Sequence, residues 1–267
     1  MEINDMILFE DRAILVCHKP SGLPVQSAGA GTRDLKSLLM NYLYEQQQAM
    51  PYLGLIHRLD QPVEGILVFA KNKKAAAELS KQVTDGRMEK RYQAVCCGAD
   101  VENGSLCEKQ DCTEEEHDVS GEAKQKNPPH HLVNYLKKDA RTNTSAIVTE
   151  RTPGSKKAEL MFRIKDEKKR EERRYCLAEI QLLTGRHHQI RVQMAGTGLP
   201  LYGDQKYNRN WQMYRQQEYE TGTRTQLALC ACSLAFYHPS TKKRMQFEVR
   251  PSTGIFSIFT QESERVR

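Results

Sequence analysis

The spacing of apolar positions divides the chain into many short strands and a few helices. Residues 1–30 read as strand, turn, strand, with Ile14-Leu15-Val16-Cys17 as the second apolar run. Lys19-Pro20-Ser21-Gly22-Leu23-Pro24 is loop chemistry, because the prolines fix φ and the glycine relaxes it. Leu35, Leu38, Leu39, Tyr42 and Leu43 follow the i, i+3, i+4, i+7, i+8 pattern of one buried helical face, beginning near Asp34 and stopped by Pro51. Gly65-Ile66-Leu67-Val68-Phe69-Ala70 predicts a buried strand. Asn72 is placed to cap a helix that turns Ala76, Leu79 and Val83 inward and ends at Asp85-Gly86. Residues 89–97 alternate as a strand with Tyr92, Ala94 and Cys96 on one face. Leu177 to Leu182 alternates as well, and a Thr184-Gly185 turn leads into a helix near His187 to Ala195. Gly196, Gly198 and Pro200 terminate that helix, and residues 226–236 and 244–249 read as late strands.

Strands interspersed with a few helices predict an α+β fold: a mixed, mostly antiparallel central sheet with flanking helices and a cleft. Two segments break the pattern. Residues 113–127 are polar and precede Pro128-Pro129, which reads as a long surface excursion. Arg163 to Arg174 holds seven basic and four acidic residues, either a solvated hairpin tip or an arm that touches nucleic acid.

Composition narrows the class. A chain of 267 residues with 39% hydrophobic and 28% charged residues has the balance of a globular protein rather than a disordered one. No run approaches the length of a membrane span, and the N-terminus lacks a basic flank followed by an apolar run, so neither a membrane span nor a secretory signal is expected. The net charge of +6 is compatible with a polyanionic partner without requiring one. Eight cysteines carry no Cys-x-x-Cys spacing, so they read as free thiols of a reducing cytoplasm and not as zinc ligands.

Three segments hold reactive side chains inside apolar scaffolding. His57-Arg58-Leu59-Asp60-Gln61-Pro62-Val63-Glu64-Gly65 is a rigid loop before a buried strand, the usual setting for a held catalytic group. An aspartate in a loop is also an ordinary turn former. Lys90-Arg91-Tyr92-Gln93-Ala94 places a tyrosine on a strand, where a core role is the common one. Thr184-Gly185-Arg186-His187-His188-Gln189-Ile190-Arg191-Val192-Gln193-Met194 crowds two arginines, two histidines and a glutamine onto one turn. Those groups suit phosphate and base-edge contacts, or pairing with a buried carboxylate.

Together these segments resemble the RluA family of pseudouridine synthases. His57-Arg58-Leu59-Asp60 resembles the family's catalytic loop, with Ala70-Lys71 following the strand; Lys90-x-Tyr92-x-Ala94 is similar to its tyrosine strand. Thr184 to Val192 is similar to its GRTHQIRVH segment, Leu199 to Asp204 to the stretch that follows, and Lys19-Pro20-x-Gly22 to its opening loop. The likeness runs from residue 7 to about residue 250, in the family's order. Three sites depart: the pair Val63-Glu64 replaces Thr-Ser, His187 replaces threonine, and Gln193 replaces histidine. A carboxylate at position 64 would repel phosphate or alter the loop's hydrogen bonds.

The resemblance implies an RNA isomerase that converts uridine to pseudouridine in rRNA or tRNA. It implies one catalytic domain over 1–267 without a separate S4-like domain, acting as a cytoplasmic monomer with no metal or cofactor. Asp60 becomes the catalytic carboxylate, Arg191 its ion-pair partner, and Tyr92 the group that stacks on the target ring and assists proton removal at C5. Arg58 fills the space left by the flipped base. Arg186, His188 and Gln189 are expected to touch substrate. The alternative is a non-catalytic RNA-binding relative. A metal-dependent hydrolase is disfavoured, because it would cluster several carboxylates where the signature has Asp60 and Glu64 alone.

Overall fold

Side-chain alternation and capping account for most of the elements. The computed structural model describes residues 2–27, 33–47, 50–97, 128–170, 173–212, 225–252 and 254–260. The elements run α1 (Ile3–Met6), β1 (Ile7–Glu10), β2 (Ile14–Lys19), α2 (Leu35–Gln47), β3 (Gly54–Leu55), β4 (Glu64–Ala70) and α3 (Lys73–Thr84). They continue as β5 (Glu89–Cys97), β6 (His130–Asp139), β7 (Thr144–Val148), β8 (Lys156–Arg170), β9 (Arg173–Leu182), α4 (Gln189–Gly196), β10 (Leu229–Tyr237) and β11 (Arg244–Glu248). Asn72 caps α3 through its side chain, which accepts the Ala75 N–H at 2.8 Å. The inward face of α3 is shifted from the expected one: Ala75, Leu79 and Gln82 are buried, while Ala76 and Val83 are half-buried. Gln82 holds the end of β10, donating to the Tyr237 carbonyl and accepting its N–H. That pair of bonds turns a polar residue inward at a position where apolar periodicity predicts none.

Among the described residues eleven strands form one sheet, ordered β1-β2-β4-β10-β5-β9-β8-β6-β7, with β11 on β10 and β3 on β4. Only the β4–β10 pair is parallel. The sheet is therefore mixed and mostly antiparallel, as the sequence predicts. The parallel pair needs close approach. Gly65 has φ +134°, and a Cβ there would lie 2.5 Å from the backbone N and O of Ala231.

Helices flank both faces. On one, Leu35, Leu39 and Leu43 of α2 and Ile190 and Met194 of α4 pack with Leu67, Phe69, Tyr92, Ala94, Cys96, Ala178 and Ile180. On the other, Ala75 and Leu79 of α3 pack with Ile14, Val16, Ile66, Val68, Leu234 and Phe236. The charged segment from Arg163 to Arg174 is the end of the β8–β9 hairpin, whose tip at 171–172 lies outside the described residues. Some of its charges are paired: Arg163 and Lys165 with Glu179 of β9 at 2.6 and 3.6 Å, and Arg174 with Glu167 within the segment at 3.8 Å. This arrangement fits the solvated-hairpin reading. The excursion at 113–127 also lies outside the described residues. Among the described residues no helix is long and apolar enough to cross a membrane. Cys17, Cys96, Cys176 and Cys230 are buried free thiols, Cys97 is buried, and Cys232 is a half-buried thiol.

Candidate active site

The loop that carries Asp60 is fixed from both sides. Leu59 and Val63 are buried on either side of it, and the Val63 N–H closes a turn onto the Asp60 carbonyl at 3.0 Å. The Lys19–Pro24 loop clamps the same segment. Gly22 N–H donates to the Gln61 carbonyl, the Gln61 amide donates to the Gly22 carbonyl, and Ser21 Oγ donates to the Pro62 carbonyl. Lys19, fully buried at the end of β2, donates through Nζ to the carbonyls of Pro20, Leu23 and Gln61 at 2.8–3.0 Å. Burial lowers the Lys19 pKa to about 8, against the charges of Asp60 and Glu64, which favour the ammonium.

Across from this loop stands α4. Arg191 donates from Nη1 to Asp60 Oδ2 at 3.3 Å, and from Nε and Nη2 to Asp204 Oδ2 and Oδ1, both at 2.8 Å. The side chains of Arg191 and Asp204 are 5% and 0% exposed, whereas that of Asp60 is 29% exposed. Asp204 is thus the anchor, and Asp60 the open end of the chain of charges. Burial by itself would lower the Arg191 pKa. The hydrogen bonds and charge of Asp204, with the charge of Asp60, more than offset this and raise it. The guanidinium is therefore a permanent cation beside an accessible carboxylate.

Tyr92 is buried on the same sheet face. Burial first, then the Asp60 charge, pushes its phenol well above the ordinary tyrosine range, so the hydroxyl stays protonated. Arg58 and Arg186 are exposed. Arg186 also donates from Nε to the Lys157 carbonyl at 2.8 Å. His188 is buried, with Nε2 at 3.5 Å from Asp60 Oδ2, so it faces the carboxylate rather than the surface. Burial and the charges of Arg191, His187, Lys206 and Lys138 lower its pKa to about 3, leaving it neutral.

Gln189 departs from its expected role of touching substrate. It is buried, its Oε1 accepts from Thr184 Oγ1 and the Arg186 N–H, and its Nε2 donates to the Glu159 carbonyl. Its amide holds the turn that launches α4. That helix begins at Gln189, two residues later than expected, because His188 adopts a left-handed conformation at φ 54°.

The three departures from the family pattern are structural. Glu64 is fully buried and accepts from Ser252 N–H at 2.9 Å and from Ser252 Oγ. It alters the local hydrogen bonds, and burial keeps it from repelling phosphate at the surface. His187 stacks on His188 with ring centroids 3.8 Å apart and contacts Ser145 and Asn143. Gln193 ties α4 to Asn134 and to the Ala158 carbonyl.

Sequence reading did not single out Asp204, Tyr207 or Lys19 as contributors. Lys19 had a visible signal, a lone cation closing an apolar strand. For Asp204 the motif likeness was the only signal, since its partner lies thirteen residues away across a helix. Among the described residues no group of three metal-ligating side chains occurs. A groove of about 780 Å³, lined by Arg91, Gln93, Arg163, Glu179, Gln181 and Cys232, does not include Asp60 or Arg191.

Comparison with known proteins points to a family. Residues 13–196 match the model of the RNA pseudouridylate synthase family. The chain is 31% identical over 262 residues to the ribosomal large subunit pseudouridine synthase C of Escherichia coli (strain K12), covering 95% of this chain and 68% of that one. It is 28% identical over 246 residues to the protein of the same name from Buchnera aphidicola, covering 91% of this chain and 65% of that one. The chain thus spans about two thirds of the length of these relatives. A solved human structure, RNA pseudouridylate synthase domain containing 4, shares the fold with a TM-score of 0.66 at 19% identity, over 96% of this chain and 93% of that one. With the family model covering more than half of the sequence and the sheet shared with a solved member, the chain belongs to the RNA pseudouridylate synthase family.

Proposed function

We propose that the chain isomerises a uridine to pseudouridine within structured RNA, with Asp60 as the catalytic carboxylate. One observation carries the reading: a partly exposed carboxylate held by a buried guanidinium that a second, sealed carboxylate keeps in place. The reaction breaks the N1–C1′ bond, turns the uracil, forms the C5–C1′ bond, and moves the C5 proton to N1 through solvent. It is redox-neutral and needs no cofactor. It needs a carboxylate within reach of the nucleotide, and Arg191 fixes that of Asp60 by a 3.3 Å contact while leaving it partly exposed.

Tyr92 supports the target ring by stacking. Burial and the Asp60 charge hold its phenol protonated before substrate binds. A base inside a stem has to leave the stack, at a cost of a few kcal/mol. Exposed Arg58, next to Leu59 and Asp60 in the same loop, fills the gap the base leaves, and exposed Arg186, Lys138 and Lys206 meet phosphates. The relatives' names favour large-subunit ribosomal RNA over transfer RNA as the substrate. We read the chain as one catalytic domain, working as a monomer in the cytoplasm.

Release of tritium from RNA labelled at uridine C5 tests the reaction. Wild type acting on large-subunit ribosomal RNA transcripts is expected to release it, and Asp60→Asn is expected not to. RNA binding without release by wild type would favour a non-catalytic binder. Release by Asp60→Asn at the wild-type rate would reject Asp60.

A further inference from the structure

A second line of contacts reaches Asp60 from β7. The Ser145 N–H donates to the Tyr207 hydroxyl oxygen at 2.7 Å, and that hydroxyl lies 2.7 Å from His188 Nδ1. On the far side of the ring, Nε2 faces Asp60 Oδ2 at 3.5 Å. Tyr207 is itself held firmly. Its N–H donates to Asp204 Oδ1 at 3.2 Å, and its ring lies 5.3 Å from the Arg191 guanidinium carbon. The His188 ring is fixed by its left-handed backbone, by the stacked His187 and by the edge of Tyr207.

These contacts determine where the single proton of a neutral imidazole sits. Among the described residues, His188 Nδ1 is the only hydrogen-bonding acceptor for the Tyr207 hydroxyl proton. A proton on Nδ1 would strand that hydroxyl proton and would also aim the bare lone pair of Nε2 at a carboxylate. A proton on Nε2 satisfies both ends.

From this geometry we infer that His188 is a positioning residue, its Nε2–H directed by Tyr207 onto the same Asp60 oxygen that Arg191 holds. Two donors then converge on Oδ2. No described residue hydrogen-bonds Oδ1, which is left as the oxygen that meets the substrate. The 3.5 Å separation is that of a site without substrate, and such contacts shorten when the substrate is bound.

The inference rests on the proposed reaction for its kinetic arm but not for its spectroscopic one. Proton–nitrogen correlation spectra of protein carrying isotope-labelled histidine give the tautomer directly, with the His188 signal assigned by its loss in His188→Gln. The wild type at neutral pH is expected to show the Nε2–H form, and Tyr207→Phe is expected to admit the Nδ1–H form. An Nδ1–H or imidazolium signal in the wild type would overturn the inference. In the tritium assay, His188→Leu is expected to lower kcat about tenfold with KM unchanged, the size of one hydrogen bond to a charged group. His188→Gln, whose amide N–H can reach Oδ2, is expected to recover most of that loss. Equal losses in both variants, or a wild-type kcat in His188→Leu, would reduce His188 to a packing residue. A wild type that spectroscopy finds in the Nε2–H form but that releases no tritium would sink the proposed reaction and leave the proton's position standing.

Discussion

Removing the charge from Asp204 and from Asp60 should have different consequences for stability, because the two carboxylates share one guanidinium but not one environment. Asp204 makes two 2.8 Å bonds to Arg191 and is sealed from solvent, and its Oδ1 also accepts the N–H groups of Lys206 and Tyr207. Breaking a buried pair by removing one partner costs about 3–5 kcal/mol, since the remaining charge is left buried. Asp204→Asn keeps one acceptor oxygen, so the lower end applies, about 3 kcal/mol. At about 2–4 °C per kcal/mol for a chain of this size, the melting temperature should fall by about 6–12 °C. Asp60 makes one 3.3 Å contact and its side chain is 29% exposed, so Asp60→Asn should cost less than about 1 kcal/mol. Its melting temperature should therefore move by less than about 4 °C. Thermal unfolding followed by circular dichroism, alongside tritium release, separates the two effects. Asp60→Asn should keep its fold and lose turnover; Asp204→Asn should lose both stability and turnover. A fall in melting temperature as large for Asp60→Asn as for Asp204→Asn would refute the division into an anchored and a working carboxylate.

Gly65→Ala combines a φ of +134° with a Cβ 2.5 Å from the Ala231 backbone, and should cost about 3 kcal/mol or more in urea unfolding; a loss under about 1 kcal/mol would mean that β4 and β10 can separate freely. Burial raises the Cys232 pKa to about 11, so its alkylation by iodoacetamide, read by peptide mapping, should climb about tenfold per pH unit up to about pH 11. Rapid alkylation whose rise with pH levels off above about pH 9, as for an exposed thiol, would show that the groove around it opens.

The parts legible in the sequence are those that local pattern determines. The buried run of β4, the Asn72 cap, the alternation of Tyr92, Ala94 and Cys96, and the leucine face of α2 all follow from nearest neighbours. The pairing of Asp60 with Arg191 came from likeness to a family, since a contact across 131 positions leaves no periodic trace. β6 and β7 were not anticipated, because these strands near the sheet edge leave many side chains on both faces in water and carry little apolar contrast. Gln189 reads from the sequence as a substrate contact, and Gln82 carries no signal there. Only the fold shows their amides pairing with buried backbone, which no composition or spacing encodes.

The strand order has a consequence for how the site comes into being. β10 lies between β4 and β5, so the part of the sheet next to Asp60 and the part bearing Tyr92, on which α4 with Arg191 packs, are stitched together by a strand that follows all of them in the chain. During translation, the acid and its cation emerge on separate, unjoined pieces. Residues 229–237 act as the seam, and a nascent chain that has not yet produced them lacks the strand that joins the two parts into one sheet.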